Sequence, residues 1–343
     1  MATARRFSSA AMLLTLPFLP AEPLLRSPDS IATFSIVARD PETGDLGVAV
    51  ESRFFAVGAV VPWAKAGVGA VATQAFGNTT FGPRGLHLLE TGYGAGEALD
   101  VLVKSDPLAD RRQVGIVDAS GKTATWTGGK CNPWAGGRTG ESYAVQGNIL
   151  TGKEVVDAIA SAFEASTGKP LADRLVEALL AGQAAGGDAR GQQSAALLVV
   201  RAKGGYAGLN DRYIDLRVDD HVRPIDELRR LLDLHHTLNA YNDALFYKER
   251  GDVQRAIRIM EEATDRRAAG TGATDADRGG AFYDLACFYA QVGRTDAAVA
   301  SLEKAFRLSP TLIAHSLNDT DLDPLRGDPR YAAMVKDETG RKE

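Results

Sequence analysis

Cysteine is nearly missing from this chain: two thiols, Cys131 and Cys287, in 343 residues. Two cannot build a disulfide framework, and without a CxxC or CxxH cluster they offer no zinc motif. The sequence also lacks an apolar run fit to span a bilayer, since Ala10 to Pro20 (AAMLLTLPFLP) is too short and broken by proline. Charge of one sign is missing too: 39 basic against 44 acidic residues leave a net −5, which argues against a nucleic-acid partner. The segment Gly92-Tyr93-Gly94-Ala95-Gly96 lacks dinucleotide-binding spacing, so no cofactor and no metal are expected. What is present, 45% hydrophobic, 24% charged and 7% aromatic residues, is close to the globular average and excludes disordered, collagen-like and coiled-coil chains. The length predicts one large domain and a smaller one.

Residues 1–32 read as a leader. Arg5 and Arg6 precede the apolar run, as in a secretory signal, and the chain is expected to be exported to the periplasm or beyond the cell. Cleavage near Ala21 would follow the apolar core directly. Cleavage after Ser30-Ile31-Ala32, a small-x-Ala site further on, would make Thr33 the first residue. From there a hairpin pattern begins: Phe34 to Ala38, a turn at Asp40 to Asp45, and Leu46 to Val50. A threonine that starts both a strand and a chain carries a hydroxyl beside its own α-amine. With an unperturbed pKa of about 7.7–8.0 that amine can take the hydroxyl proton, so one residue serves as nucleophile and base. Threonine is equally ordinary at strand starts.

Short strands are predicted at 59–64, 69–74, 112–118, 122–127, 143–150, 194–200 and 213–218, with helices at 85–90, 96–104, 153–165 and 171–183. Residues 128–140 read as a Gly-rich loop holding Cys131. The alternation of strands with paired helices implies a layered α/β (α+β) domain.

Several stretches resemble the bacterial family DUF1028: Thr33 to Asp40 with Gly47 to Val50, Gln74 with Asn78 to Gly85, Arg112 to Asp118, Gln146 to Leu150, Gly187 to Ala196, and Asn210 to His221. The resemblance covers about residues 33–235. It implies a four-layer αββα sandwich of the N-terminal nucleophile (Ntn) hydrolase type, over residues 33–223, whose relatives typically begin at Met-Thr at the position of Thr33. On that reading Thr33 is the nucleophile, with Ser35 second, and the substrate is a small-molecule or short-peptide amide. Asn148 is the preferred side-chain donor to the oxyanion, unless it is a buried amide serving loop backbone. Gln74, Asn78, Asp188, Arg190 and Gln192 are substrate-binding candidates. For Asn78 and Gln74 the competing role is loop capping, and for Asp188 and Arg190 a loop lock. His235 and His236 are adjacent on a helix and point apart, so they cannot readily share a metal.

Residues 224–343 read as all helical. Leu285, Ala286, Tyr289, Ala298, Leu302, Ala305 and Pro310 resemble a tetratricopeptide repeat, and Ala244, Tyr247, Ala256, Met260 and Ala263 form a weaker copy. Residues 269–280 are expected to be a loop absorbing the extra spacing, and 319–331 a capping tail. The repeats are either a protein-partner groove or a structural appendage, and self-association into a homo-oligomer stays open. Two readings of the whole follow: an exported amide hydrolase, or an inactive sandwich serving as a binding module with its repeats.

Overall fold

The computed structural model describes residues 33–270 and 273–339. The expected leader therefore lies outside the described residues. The chain opens with the hairpin β1 (Thr33–Arg39) and β2 (Leu46–Ser52), followed by β3 (Pro62–Lys65) and β4 (Gly69–Ala75). Two helices, α1 (Phe81–Glu90) and α2 (Ala95–Lys104), lead to β5 (Arg112–Asp118), β6 (Thr123–Thr127), β7 (Gly136–Gly140) and β8 (Tyr143–Asn148). A second helical pair, α3 (Glu154–Ala165) and α4 (Leu171–Ala184), precedes β9 (Ser194–Val200) and β10 (Arg212–Val218).

These strands form two antiparallel sheets, a six-stranded one in the order β10-β9-β2-β1-β8-β7 and a four-stranded one in the order β3-β4-β5-β6. Side-chain alternation assigns each strand two jobs. On β1, Phe34, Ile36 and Ala38 pack with Val156, Ile159, Leu175 and Leu179 of α3 and α4. Val37 faces the other way, with Val48 and Val50 of β2, into a layer shared with Ala70, Ala72 and Val117 of the second sheet. The outer face of that sheet, Val71, Val114 and Ile116, packs on Leu89, Leu99 and Leu102 of α1 and α2. The layers thus run helices, sheet, sheet, helices.

The expected strand positions match closely, with two differences: the strand expected at 59–64 runs over Pro62–Lys65, after a 3-10 turn at Val57–Ala59, and β7 lies inside the stretch read as loop. Its sequence, GGRTG, has no apolar residue to signal burial, and it joins the sheet edge through its backbone ladder with β8.

The rest is helical: α5 (Pro224–Glu249), α6 (Val253–Ala269), α7 (Asp275–Gln291), α8 (Thr295–Leu308), α9 (Thr311–Ser316), a 3-10 turn at Thr320–Leu325 and α10 (Pro329–Thr339). The stretch expected as loop up to residue 280 is shorter, because Thr274 and Asp277 form a reciprocal cap that starts α7 at Asp275. Every apolar repeat position named above except Pro310 is buried in one core with Tyr241, Leu322 and Tyr331 around it. Helix α5 serves both parts: Ile225, Leu228 and Leu232 sit in the sandwich core, and Ala240, Ala244 and Tyr247 in the repeat core. Residue 224 therefore marks where a helix begins, and the two cores divide near the middle of that helix. Among the described residues no helix is long and apolar enough to cross a membrane.

Candidate functional site

The layer between the sheets is apolar at one end and polar at the other. At the polar end Thr33, Ser35, Ser52, Gln74, Gln113, Gln146 and Asn148 are all fully buried. Register puts them together: Thr33 is opposite Ser52 on β2 and Asn148 on β8, Ser35 is opposite Gln146, and Gln74 is opposite Gln113. Thr33 Oγ1 lies 3.1 Å from Ser52 Oγ.

Hydrogen bonds fix the direction of every amide. Gln113 Nε2 donates to the carbonyls of Gly147 (2.7 Å) and Gly136 (3.2 Å) and to Thr127 Oγ1 (2.9 Å), which turns Gln113 Oε1 inward. That oxygen accepts from Gln74 Nε2 (2.8 Å) and Asn148 Nδ2 (3.0 Å). Gln74 Nε2 also reaches Thr33 O at 3.2 Å, while Gln74 Oε1 accepts from Ser35 Oγ at 2.5 Å. Gln146 Nε2 completes the set by donating to Ser35 Oγ at 2.6 Å. Two acceptors are left without a partner, Gln146 Oε1 and Asn148 Oδ1. The first is packed against Gly115, where a Cβ would lie 2.0 Å from it, so only glycine leaves room for that glutamine. The second belongs to the residue directly opposite Thr33. Immediately after the two amides nearest Thr33 the backbone turns left-handed, at Ala75 (φ 64°) and Ile149 (φ 52°), conformations that cost about 1–3 kcal/mol each at non-glycine residues.

The loop before β9 closes the same end. Asp188 accepts from the Arg53 amide at 2.9 Å and pairs with Arg190 at 3.1 Å, and Leu150 and Asp188 form an isolated bridge. Arg190 also donates to Arg53 O. The loop-lock role considered for Asp188 and Arg190 is therefore present in the geometry. Gln192 enters through its backbone carbonyl, which accepts from Arg53 Nη1. Asn78 is elsewhere: its amide donates to Asp106 and accepts from Thr80 at the start of α1, beside the Arg112–Asp106 ion pair. It caps a loop and does not join the network around Thr33.

Sequence reasoning passed over Gln113 as a site residue and over Ser52 and Glu51 altogether. The available signal was a glutamine in each of three strands, GAVATQA, RQVGIVD and YAVQGN, that are mostly apolar or small residues. Cys131 is half-buried, its thiol pushed up by burial and bonded to Arg112 O. His235 and His236 do turn to different partners, Asn239 and Asp173. Among the described residues, Cys287, Asp319 and Asp321 of the repeat core bring three metal-capable atoms within 4.8 Å, but Asp319 Oδ2 is already taken by Tyr283 and Cys287. Clefts of about 600 Å³ beside Glu90 and Asp118, and of about 410 Å³ where α4, α5 and α6 meet, have no wall from the Thr33 network.

A family model described as "Family of unknown function (DUF1028)" matches residues 33–228, and a tetratricopeptide-repeat model matches residues 280–312. The crystal structure of protein SPO2555 from Silicibacter pomeroyi, titled as a DUF1028 protein, is 32% identical with a TM-score of 0.54; the match covers 59% of this chain and 84% of that one. A search of the curated proteins gives no match.

Proposed function

Starting from a chain that belongs to the DUF1028 family, we propose that it is an exported N-terminal nucleophile hydrolase acting on the amide bond of a small molecule or short peptide. The observation that carries this reading is the place of Thr33. It is the first residue of a central strand, set among six other fully buried polar side chains at one end of a layer whose other end is apolar. Buried polar groups are assembled at a cost, and left-handed residues beside them add to it, so such an arrangement is an economical candidate for function.

In the proposed reaction, leader removal exposes the Thr33 α-amine. The amine takes the Oγ1 proton as Oγ1 attacks the amide carbon. The oxyanion is met by backbone N–H groups and by the second N–H of Asn148 Nδ2, the first being committed to Gln113. The ammonium then passes its proton to the leaving nitrogen as the C–N bond breaks, and water hydrolyses the ester. Gln74 holds Thr33 O and Ser52 lies by its hydroxyl, so both orient the nucleophile.

The rival reading, an inactive sandwich used as a binding module with its repeats, draws on the complete burial of Thr33 in the full-length chain. Labelling with amide-directed electrophiles separates the two. Thr33→Ala should fold and lose all labelling, and Thr33→Ser should keep part of it. Equal labelling of the alanine variant would move the assignment to Ser35 or Cys131, and absence of labelling in every form would favour the binding module.

A further inference from the structure

Glu51 is a buried acid at the Thr33 end that the proposed reaction leaves unused. It lies on β2 opposite Phe34, next to Ser52 and hence next to the partner of Thr33. Its side chain points to the helix-covered face, opposite to the Thr33 hydroxyl. The residue is 0% exposed, and neither carboxyl oxygen has a hydrogen-bond partner among the described residues. Burial, and then the charge of Asp188, hold it well above the usual carboxylate range. The Gln193 N–H, which bonds Ser52 O at 3.2 Å, and Arg190 pull the other way without reversing it.

An unpartnered buried carboxyl is costly in the form described. Asp188 binds the Arg53 amide, one residue beyond Ser52, so its carboxylate sits at the same strand end, and its guanidinium partner is Arg190. Arg190 is thus paired with Asp188, and Glu51 is left with no ion pair among the described residues. Resting on the N-terminal-nucleophile reading, we infer that Glu51 is the counter-charge for the α-ammonium created at Thr33 by leader removal, and so a positioning residue for the amine. The backbone nitrogen of a strand residue lies in the plane of the sheet, between its two faces. A freed amine at Thr33 can thus turn toward Glu51 while Oγ1 stays beside Ser52. Maturation then gives a buried, unpaired carboxyl an ionic partner, which makes the cleaved chain the better-satisfied state.

The test compares the full-length chain with a chain beginning at Thr33, each as wild type and Glu51→Gln. Carbon-13 titration of Glu51 in the two wild-type chains needs no variant. The carboxyl should titrate well above the ordinary range with the leader present, and fall by about one unit or more once the amine is free. The Thr33 amine should in turn lose about one unit of pKa in Glu51→Gln. At pH 8, Glu51→Gln should raise the thermal midpoint of the full-length chain and lower that of the cleaved one. A Glu51 titration unchanged by cleavage, an amine indifferent to Glu51→Gln, or a midpoint shift of the same sign in both chains would overturn the inference. None of these readouts involves turnover. Loss of labelling chemistry with these shifts intact would strike the hydrolase reading alone, and the reverse result would strike only the role of Glu51.

Discussion

Two of the places where the described residues bury polar groups are made of opposite materials. Around Thr33 the partners are amides and hydroxyls, whose bonds do not depend on protonation near neutrality. Where the sandwich meets the repeats the partners are ions. Arg201 holds Asp45 with two bonds of 2.8 and 2.6 Å, lies 3.8 Å from Asp243, and is stacked between Tyr213 and Phe246. Tyr213 donates to Asp243 at 2.7 Å, and His236 pairs with Asp173 at 3.0 Å. A neutral network can fix side-chain direction beside a reacting group without imposing a field on it. A charged one suits a joint, because its strength rises as water is excluded.

That contrast is open to attack at three strengths. Arg201→Met should have the largest effect, because it leaves Asp45 and Asp243 buried without their shared cation; about 3–5 kcal/mol should be lost in urea unfolding. A loss below about 1 kcal/mol would show that the joint is not held electrostatically. Gln113→Leu comes next. It strips partners from Asn148 Nδ2 and from the Gly136 and Gly147 carbonyls, and about 2–3 kcal/mol should go, with little change between pH 6 and 8.

The smallest effect concerns the paired histidines, and its sign differs between them. Burial presses both down. For His236 the bond and charge of Asp173 outweigh burial, so its pKa is raised. Its contribution is complete below its unfolded value of about 6.5 and fades as pH rises through the folded value. Asp173 is lowered, because its bond to His236 overcomes burial, and its contribution is lost only as pH falls through that depressed value. His235 is pushed down to about 4 by burial first and His236 second, so its contribution is present above about 6.5 and is lost on acidification. Replacing His235 with Phe should therefore stabilise the protein by about 1 kcal/mol at pH 5.5 relative to pH 7.5, as read from thermal midpoints. A variant with the wild-type pH profile would refute that assignment.

Much of this architecture was legible in the residues, and the reason differs by part. Strands β5 and β9 and the start of α5 coincide with the reading, since RQVGIVD and SAALLVV are bounded by turn residues and Pro224 fits the first turn of a helix. Strand β7 was illegible because an edge strand of glycines is held by a partner ladder that no local pattern announces. Thr33, Gln74 and Asn148 were singled out and do converge, whereas Asn78 does not. Its spacing suits a site and a loop cap equally, and Asp106, the residue that decides between them, is distant in sequence. Gln113 and Glu51 escaped because importance there comes from register: one joins five groups across two sheets, the other is opposite Phe34 with nothing to bind. A sequence shows that a polar residue interrupts a strand, but pairing determines what it meets.

The account stands most directly on where the mature chain begins. Mass spectrometry of protein exported by its own host should show Thr33 as the first residue, with the α-amine free. A stable mature chain beginning at Ala21 or Glu22 would leave Thr33 internal and without an amine, and would contradict both the proposed reaction and the role given to Glu51.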